Sequence, residues 1–128
     1  KGAAGLEKDI EVLEKAYQAG EEVMNMIYSW QANKGEKGEL VNLYAIRALF
    51  VFAQIYVAMC LLEQAVIAGK TMAGLPADHF EINFYKGKVA SAKYYVNNSL
   101  PNVFTLSSII KNADTSVLEV PEDILIVS

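Results

Sequence analysis

The chain has 128 residues, which is the size of one domain, and its formal net charge is −4. Its 53% hydrophobic content allows a sizeable core and excludes a disordered chain. One cysteine and one histidine exclude a disulfide framework and most histidine-based metal sites, and the acidic balance argues against a nucleic-acid partner.

The N-terminal segment predicts a long helix over residues 4–31. Residues 1–9 lack the apolar stretch of a signal peptide, and because the chain starts at Lys1 we expect a fragment or a processed product. Apolar residues then recur at spacings of three, four and seven, namely Ile10, Leu13, Tyr17, Met24 and Ile27. The glutamates lie largely outside this stripe, so Glu11, Glu14, Glu21 and Glu22 indicate a solvated face rather than an acid–base pair. Gly20 is either a tolerated glycine or the site where a neighbouring helix approaches closely.

An exposed turn over residues 33–38 leads to a second helix over residues 39–68, which we expect to end at Gly69 with Lys70 beside it. Residues 43–62 are almost entirely apolar, and this length matches a membrane span. Arg47, Gln54 and flanking glutamates oppose a span, because insertion penalises a central arginine by about 2.5–3.5 kcal/mol. The pattern therefore favours a buried central helix and no membrane partner.

Two residues of this second helix could carry chemistry. Arg47 lies among apolar residues, so we expect a buried guanidinium paired with a first-helix glutamate or a tail carboxylate. The alternative is a contact with an anion or a partner at an inter-domain surface. Cys60 has no adjacent histidine or lysine, which predicts an inert core thiol. A lone cysteine also fits a reducing compartment, and we expect a cytoplasmic protein.

Asp78 and Glu81 have the spacing of a capping box and predict a third helix over residues 80–98, with His79 in its first turn as a structural residue. Four small residues are expected to pack tightly on the second helix: Gly87, Ala90, Ser91 and Ala92. The aromatic residues cover more than one helix face, which indicates an interface: Phe80, Phe84, Tyr85, Tyr94 and Tyr95.

Pro101 should break the helical ladder near Ser99, so residues 102–113 form a separately angled fourth helix. Residues 114–128 include the β-rich run Ile124-Leu125-Ile126-Val127, which predicts a tail that is either extended and docked on another surface or frayed. The fold predicted for the single domain 1–128 is an all-α, up-down helical bundle of three long helices plus a fourth one kinked off at the proline. No motif assigns a catalytic, cofactor-binding or metal-ligating residue.

The segment over residues 84–95 has the sequence FYKGKVASAKYY and is followed by Leu100-Pro101. This segment contains, in order, an aromatic pair, a Gly-Lys, two spaced alanines, a basic residue and two more aromatics, all before Leu-Pro. The order of these residues resembles a segment of one known protein family. It is similar to the extra C-terminal helical domain appended to a subset of acyl-CoA dehydrogenases. The similarity is strong over residues 80–104 and elsewhere extends to helix order and length, but Lys93 stands where the family often has arginine.

The resemblance implies a parent flavoenzyme of fatty acid metabolism that uses FAD to oxidise an acyl-CoA to its enoyl-CoA. Its catalytic and flavin-binding residues would lie in upstream domains, so this chain alone is expected to bind no FAD. Its partners would be the rest of the parent polypeptide and, as a homo-oligomer, a second copy. Two alternatives stay open, namely a free-standing helical interaction module and a binder of small apolar ligands.

Overall fold

The computed structural model describes residues 5–33, 35 and 37–125, and every regular element in these residues is a helix. The elements are α1 (Glu7–Ala32), α2 (Gly38–Ala73), α3 (Ile82–Asn98), α4 (Asn102–Asn112), α5 (Ser116–Glu119) and α6 (Glu122–Leu125). The predicted all-α bundle of three long helices and a shorter fourth is confirmed.

The helix α2 is the centre of the bundle, since α1, α3 and α4 all pack against it. Its 36 residues extend over about 54 Å at 1.5 Å per residue. The shorter α3 and α4 follow one another along it: α3 lies near Ala68 and α4 lies near Leu43. Because α1 also contacts α3 and α4, the four helices enclose one core.

The core is formed by the apolar stripes on the facing sides of these helices. Its members with no exposed surface are Ala16, Val23, Val51, Ala58, Ala65, Ala92, Val96, Leu100, Val103 and Ile110. Gly20 lies where α1 meets α2, and a Cβ added there would stand 2.7 Å from Cδ1 of Ile55. Of the two interpretations of Gly20, close approach of a neighbouring helix is therefore the one the structure supports.

Two helix boundaries differ from the prediction. The second helix does not end at Gly69 but continues to Ala73, with Gly74 as its C-cap. An interior glycine costs only about 1 kcal/mol, and the buried Ala65 and Ala68 just before it hold this part of the helix against the bundle. The capping box is also wrong, since α3 begins at Ile82 and its N-cap, Glu81, shows no side-chain cap.

The chain after α3 follows the prediction up to its tail. Helix α3 ends at Asn98 and α4 begins at Asn102, so the helix is interrupted between them, which confirms the break expected near Ser99. The extended tail is wrong over residues 116–125, where α5 and α6 form instead. Val120 between them has an extended backbone, as expected for the residue before Pro121. Ile126 and Val127 of the predicted tail lie outside the described residues.

Ser107 provides a direct test of core packing. Its hydroxyl lies in α4, the residue exposes only 2% of its surface, and its oxygen has no hydrogen-bond partner among the described residues. Ser107→Ala should therefore raise the free energy of unfolding by about 1–2 kcal/mol, because a buried unpaired hydroxyl is costly. Urea denaturation followed by circular dichroism measures the change.

The neighbouring Ser108 supplies the control for this test. It lies in the same helix but is exposed, so Ser108→Ala should gain only the helix preference of alanine, about 0.5 kcal/mol. Equal gains at the two positions would contradict a penalty specific to the buried hydroxyl.

Candidate functional site

The most unusual surface of the molecule is the side of α2 that points away from the other helices. We call it the outer face, and it consists of Ile46, Leu49, Phe50, Ala53, Tyr56, Val57 and Cys60. These residues repeat at spacings of three and four over 15 residues, a length of about 21 Å. Ile46 is 70% exposed and Tyr56 is 68% exposed. The outer face is thus a continuous apolar strip open to solvent.

This exposure corrects the prediction that α2 is a buried helix. A helix that is apolar on all sides is usually surrounded by partners, yet only 28% of its most apolar 18-residue window is buried here. By length and composition α2 could also cross a membrane. Its inner side packs on α1, α3 and α4, as in a helical bundle. The outer face is therefore the side of α2 that the other described helices leave uncovered.

A shallow open groove runs beside the outer face, between α2 and α1. It has a volume of about 330 Å³. It is lined by Tyr17, Gly20, Glu21, Met24, Phe52, Ile55, Tyr56 and Met59. Glu21 is its one charged lining residue, and Tyr56 and Met59 connect the groove to the outer side of α2. An apolar-ligand binder should instead show an enclosed pocket with a few convergent polar groups.

Arg47 is not buried as the sequence suggested, and no carboxylate of the described residues pairs with it. It is exposed at the edge of α2, with its guanidinium carbon 5.6 Å from the centre of the Tyr44 ring. Tyr44 is buried, and its hydroxyl donates to the backbone oxygen of Asp114 at 2.6 Å. The ring thus fixes the segment after α4 and supports the cation at the surface. Cys60 is only partly buried, so it is not a core thiol.

The aromatic residues of the α3 region form a second apolar surface. Phe80, Phe84 and Tyr94 expose most of their side chains, as the surplus of aromatics predicted. Tyr85 and Tyr95 are partly buried, and at Tyr95 desolvation by burial raises the pKa of the phenol above its usual value. Of the small residues expected to pack on the second helix, only Ala92 is buried.

His79 lies in the turn before α3 rather than in its first helical turn. Its Nδ1 accepts a hydrogen bond from the backbone N–H of Glu81 at 3.2 Å, and its ring stacks on Phe80 at 4.7 Å. These contacts give His79 a structural role, because they shape the turn that starts α3.

One buried polar contact was not predicted from the sequence. Asp9 exposes only 7% of its surface, and Asn97 Nδ2 donates to its carboxylate at 3.1 Å, which ties α1 to α3. A signal was present, because Asp9 stands seven residues before Ala16 in a row that continues with Val23 and Trp30. The glutamates of α1 that were expected on a solvated face are exposed, and one of them, Glu22, pairs with Lys111 of α4.

The described residues contain no group of three or more histidine, cysteine, aspartate or glutamate side chains that could hold a metal ion. They also do not fit a flavin. FAD needs donors for its pyrophosphate, usually backbone N–H groups at a glycine-rich turn before a helix. The groove between α1 and α2 is instead lined mainly by aromatic, methionine and aliphatic side chains, with Glu21 as its one charged residue.

Comparisons with known proteins identify the relatives of the chain. Residues 1–121 match the model of a family described as acetyl-CoA dehydrogenase C-terminal like. Two butyryl-CoA dehydrogenases of Syntrophomonas wolfei are 37% and 35% identical over 112 residues, which cover 88% of this chain and 18% of each relative. A broad-specificity linear acyl-CoA dehydrogenase of Mycobacterium tuberculosis is 31% identical over 64% of the chain and 13% of its own length.

No solved structure matches the chain. The chain spans less than a fifth of the length of the curated relatives it matches. The match covers α1 to α4 and the start of the tail, so the similarity is to a whole helical domain rather than to a short motif.

Proposed function

Since this chain belongs to the acetyl-CoA dehydrogenase C-terminal-like family, we propose that it is the structural and assembly domain of a longer acyl-CoA dehydrogenase. The parent enzyme would use FAD to oxidise an acyl-CoA to the corresponding enoyl-CoA. The observation that carries the proposal is the match over residues 1–121 to a domain that fills only 18% of the butyryl-CoA dehydrogenases. The remaining length of such an enzyme would hold its catalytic and flavin-binding residues.

The surface of the domain supports a role in assembly. Exposed apolar residues lie on the outer face and on the α3 aromatic surface, whereas a monomer that works alone rarely shows broad apolar patches. The rest of the parent polypeptide is a natural partner for one of these surfaces. A free-standing interaction module would also expose such a face, but the family match favours the appended domain.

The reading frame around Lys1 tests the proposal directly. We expect the codons upstream to encode an acyl-CoA dehydrogenase body, and the complete polypeptide to be purified as a yellow flavoprotein that reduces an electron acceptor when given an acyl-CoA. An upstream region that encodes an unrelated protein would overturn the proposal. A cytoplasmic location, expected from the lone cysteine, is part of the same proposal.

The isolated chain should be colourless and inactive. Its grooves do not fit a flavin, so we expect no flavin absorbance after purification with added FAD and no acceptor reduction with butyryl-CoA. The control is the complete polypeptide assayed under the same conditions. Stoichiometric flavin on the 128-residue chain would contradict the assignment of flavin binding to another part of the enzyme.

A further inference from the structure

The outer face of α2 has an internal symmetry about Ala53. Phe50 and Tyr56 are aromatic and lie three residues before and after it. Leu49 and Val57 are aliphatic and lie four residues to either side. Such a strip presents nearly the same chemistry when it is reversed end to end.

The symmetry continues to the ends of the strip. Ile46 and Cys60 lie seven residues on either side of Ala53, and Asn42 and Gln64 lie eleven residues on either side. Both of these amide residues are exposed and share the side of α2 that carries the outer face. The strip is therefore apolar over its length and closed at each end by an amide that can donate and accept hydrogen bonds.

We propose that the outer face binds the outer face of a second copy of this chain, with the two α2 helices antiparallel and the two-fold axis at Ala53. A two-fold contact requires that residue i meets residue j while j meets i. Antiparallel pairing then places Phe50 opposite the partner copy's residue 56, and Leu49 opposite its residue 57. Asn42 of each copy faces Gln64 of the other.

The central alanine gives this pairing its geometry. Helices cross at about 8–10 Å between axes, and small residues at the crossing point allow the lower end of that range. Ala53 is the smallest side chain of the outer face and is exposed, so the two backbones can approach there. The larger neighbours Phe50 and Tyr56 then pack on either side of the crossing.

The area and charge of the strip agree with a dimer. Phe50 and Tyr56 each expose more than half of their surface, and a buried aromatic side chain removes about 150–250 Å² from water. Because these side chains are already partly buried in the monomer, the strip buries less than the roughly 800 Å² per partner of a standard interface, which predicts a weak dimer. No charged residue belongs to the outer face, so no ionic group has to be desolvated.

Sedimentation of the 128-residue chain tests the pairing. At about tens of micromolar, a range suited to weak dimers, we expect the mass of a dimer. Ala53→Glu puts two carboxylates at the axis and should weaken association at least about tenfold, while the far-UV circular dichroism stays helical because Ala53 is exposed. Ala90→Glu makes the same change at an exposed position of α3 and should leave the dimer intact.

Three results would overturn the proposal. They are a monomeric wild-type chain, a dimer that Ala53→Glu does not weaken, and a dimer that Ala90→Glu weakens equally. A monomer would leave the outer face to the rest of the parent polypeptide or to another protein. The identity of the parent enzyme would be unaffected, because the upstream reading frame tests it separately.

Cysteine cross-linking tests the orientation in a background with Cys60→Ala. Under oxidation, Ala53→Cys should form a disulfide with its own copy, and the double variant Leu49→Cys, Val57→Cys should cross-link too. Leu49→Cys alone should not, because antiparallel pairing separates the two copies of residue 49 by about 12 Å along the axis, whereas a disulfide needs Cα atoms within about 7 Å. Efficient cross-linking of Leu49→Cys alone would overturn the antiparallel arrangement.

Discussion

Leu100→Ala should lower the free energy of unfolding by about 2–5 kcal/mol, the largest loss we expect from a single core truncation in this chain. Leu100 lies in the break between α3 and α4 and has no exposed surface. Its side chain joins the core at the point where Pro101 redirects the backbone. Removing it leaves a cavity at the junction of two helices, which cannot both move in to fill it. Urea denaturation followed by far-UV circular dichroism measures the loss.

Leu118→Ala is the matched control. Leu118 lies in α5, and 42% of its surface is exposed. Its truncation creates little cavity and should change the free energy of unfolding by no more than about 0.5 kcal/mol. If the two alanine variants were equally stable, the junction between α3 and α4 would not be part of the core.

Asn97→Ala should lower the free energy of unfolding by about 1–3 kcal/mol, because it leaves the carboxylate of Asp9 without the amide that bonds it. Asp9 is almost completely buried but Asn97 is exposed, so water that enters where the amide stood offsets part of the loss and places it toward the lower end of this range. The same denaturation experiment measures the loss.

Asn98 provides a close control. The side-chain amides of Asn97 and Asn98 each donate to the backbone oxygen four residues earlier, that of Lys93 and that of Tyr94. Only Asn97 also reaches across to α1. Asn98→Ala should therefore cost clearly less, and equal costs would show that the contact with Asp9 adds nothing to stability.

The sequence predicts most of the helical architecture because its signals are local. The apolar stripe of α1 and the proline after α3 each act within a few residues, and both predictions are confirmed. The prediction of an extended tail failed over residues 116–125 because it too rested on a local signal. Their β-branched residues favour an extended strand, but the part of the chain that the structure describes offers no strand to pair with, so short helical turns satisfy the backbone locally.

The candidate site could not be located from sequence because α2 is apolar on every side. A helix with one apolar stripe shows which side faces the core, whereas α2 gives no such direction. Arg47 illustrates the consequence, since its apolar neighbours suggested burial although it lies at the exposed edge of the helix. Only the positions of α1, α3 and α4 around α2 decide which of its sides are inner and outer.

Trp30 gives this domain an internal optical probe. It is the only tryptophan of the sequence, exposes 3% of its surface, and its ring centre lies 5.9 Å from that of Tyr44. Its fluorescence therefore reports on the end of the bundle where α1 meets α2, while total helicity reports on all the helices. Coincident transitions in the two signals would indicate that the bundle unfolds as one unit, and an earlier loss of helicity would indicate that other helices separate first.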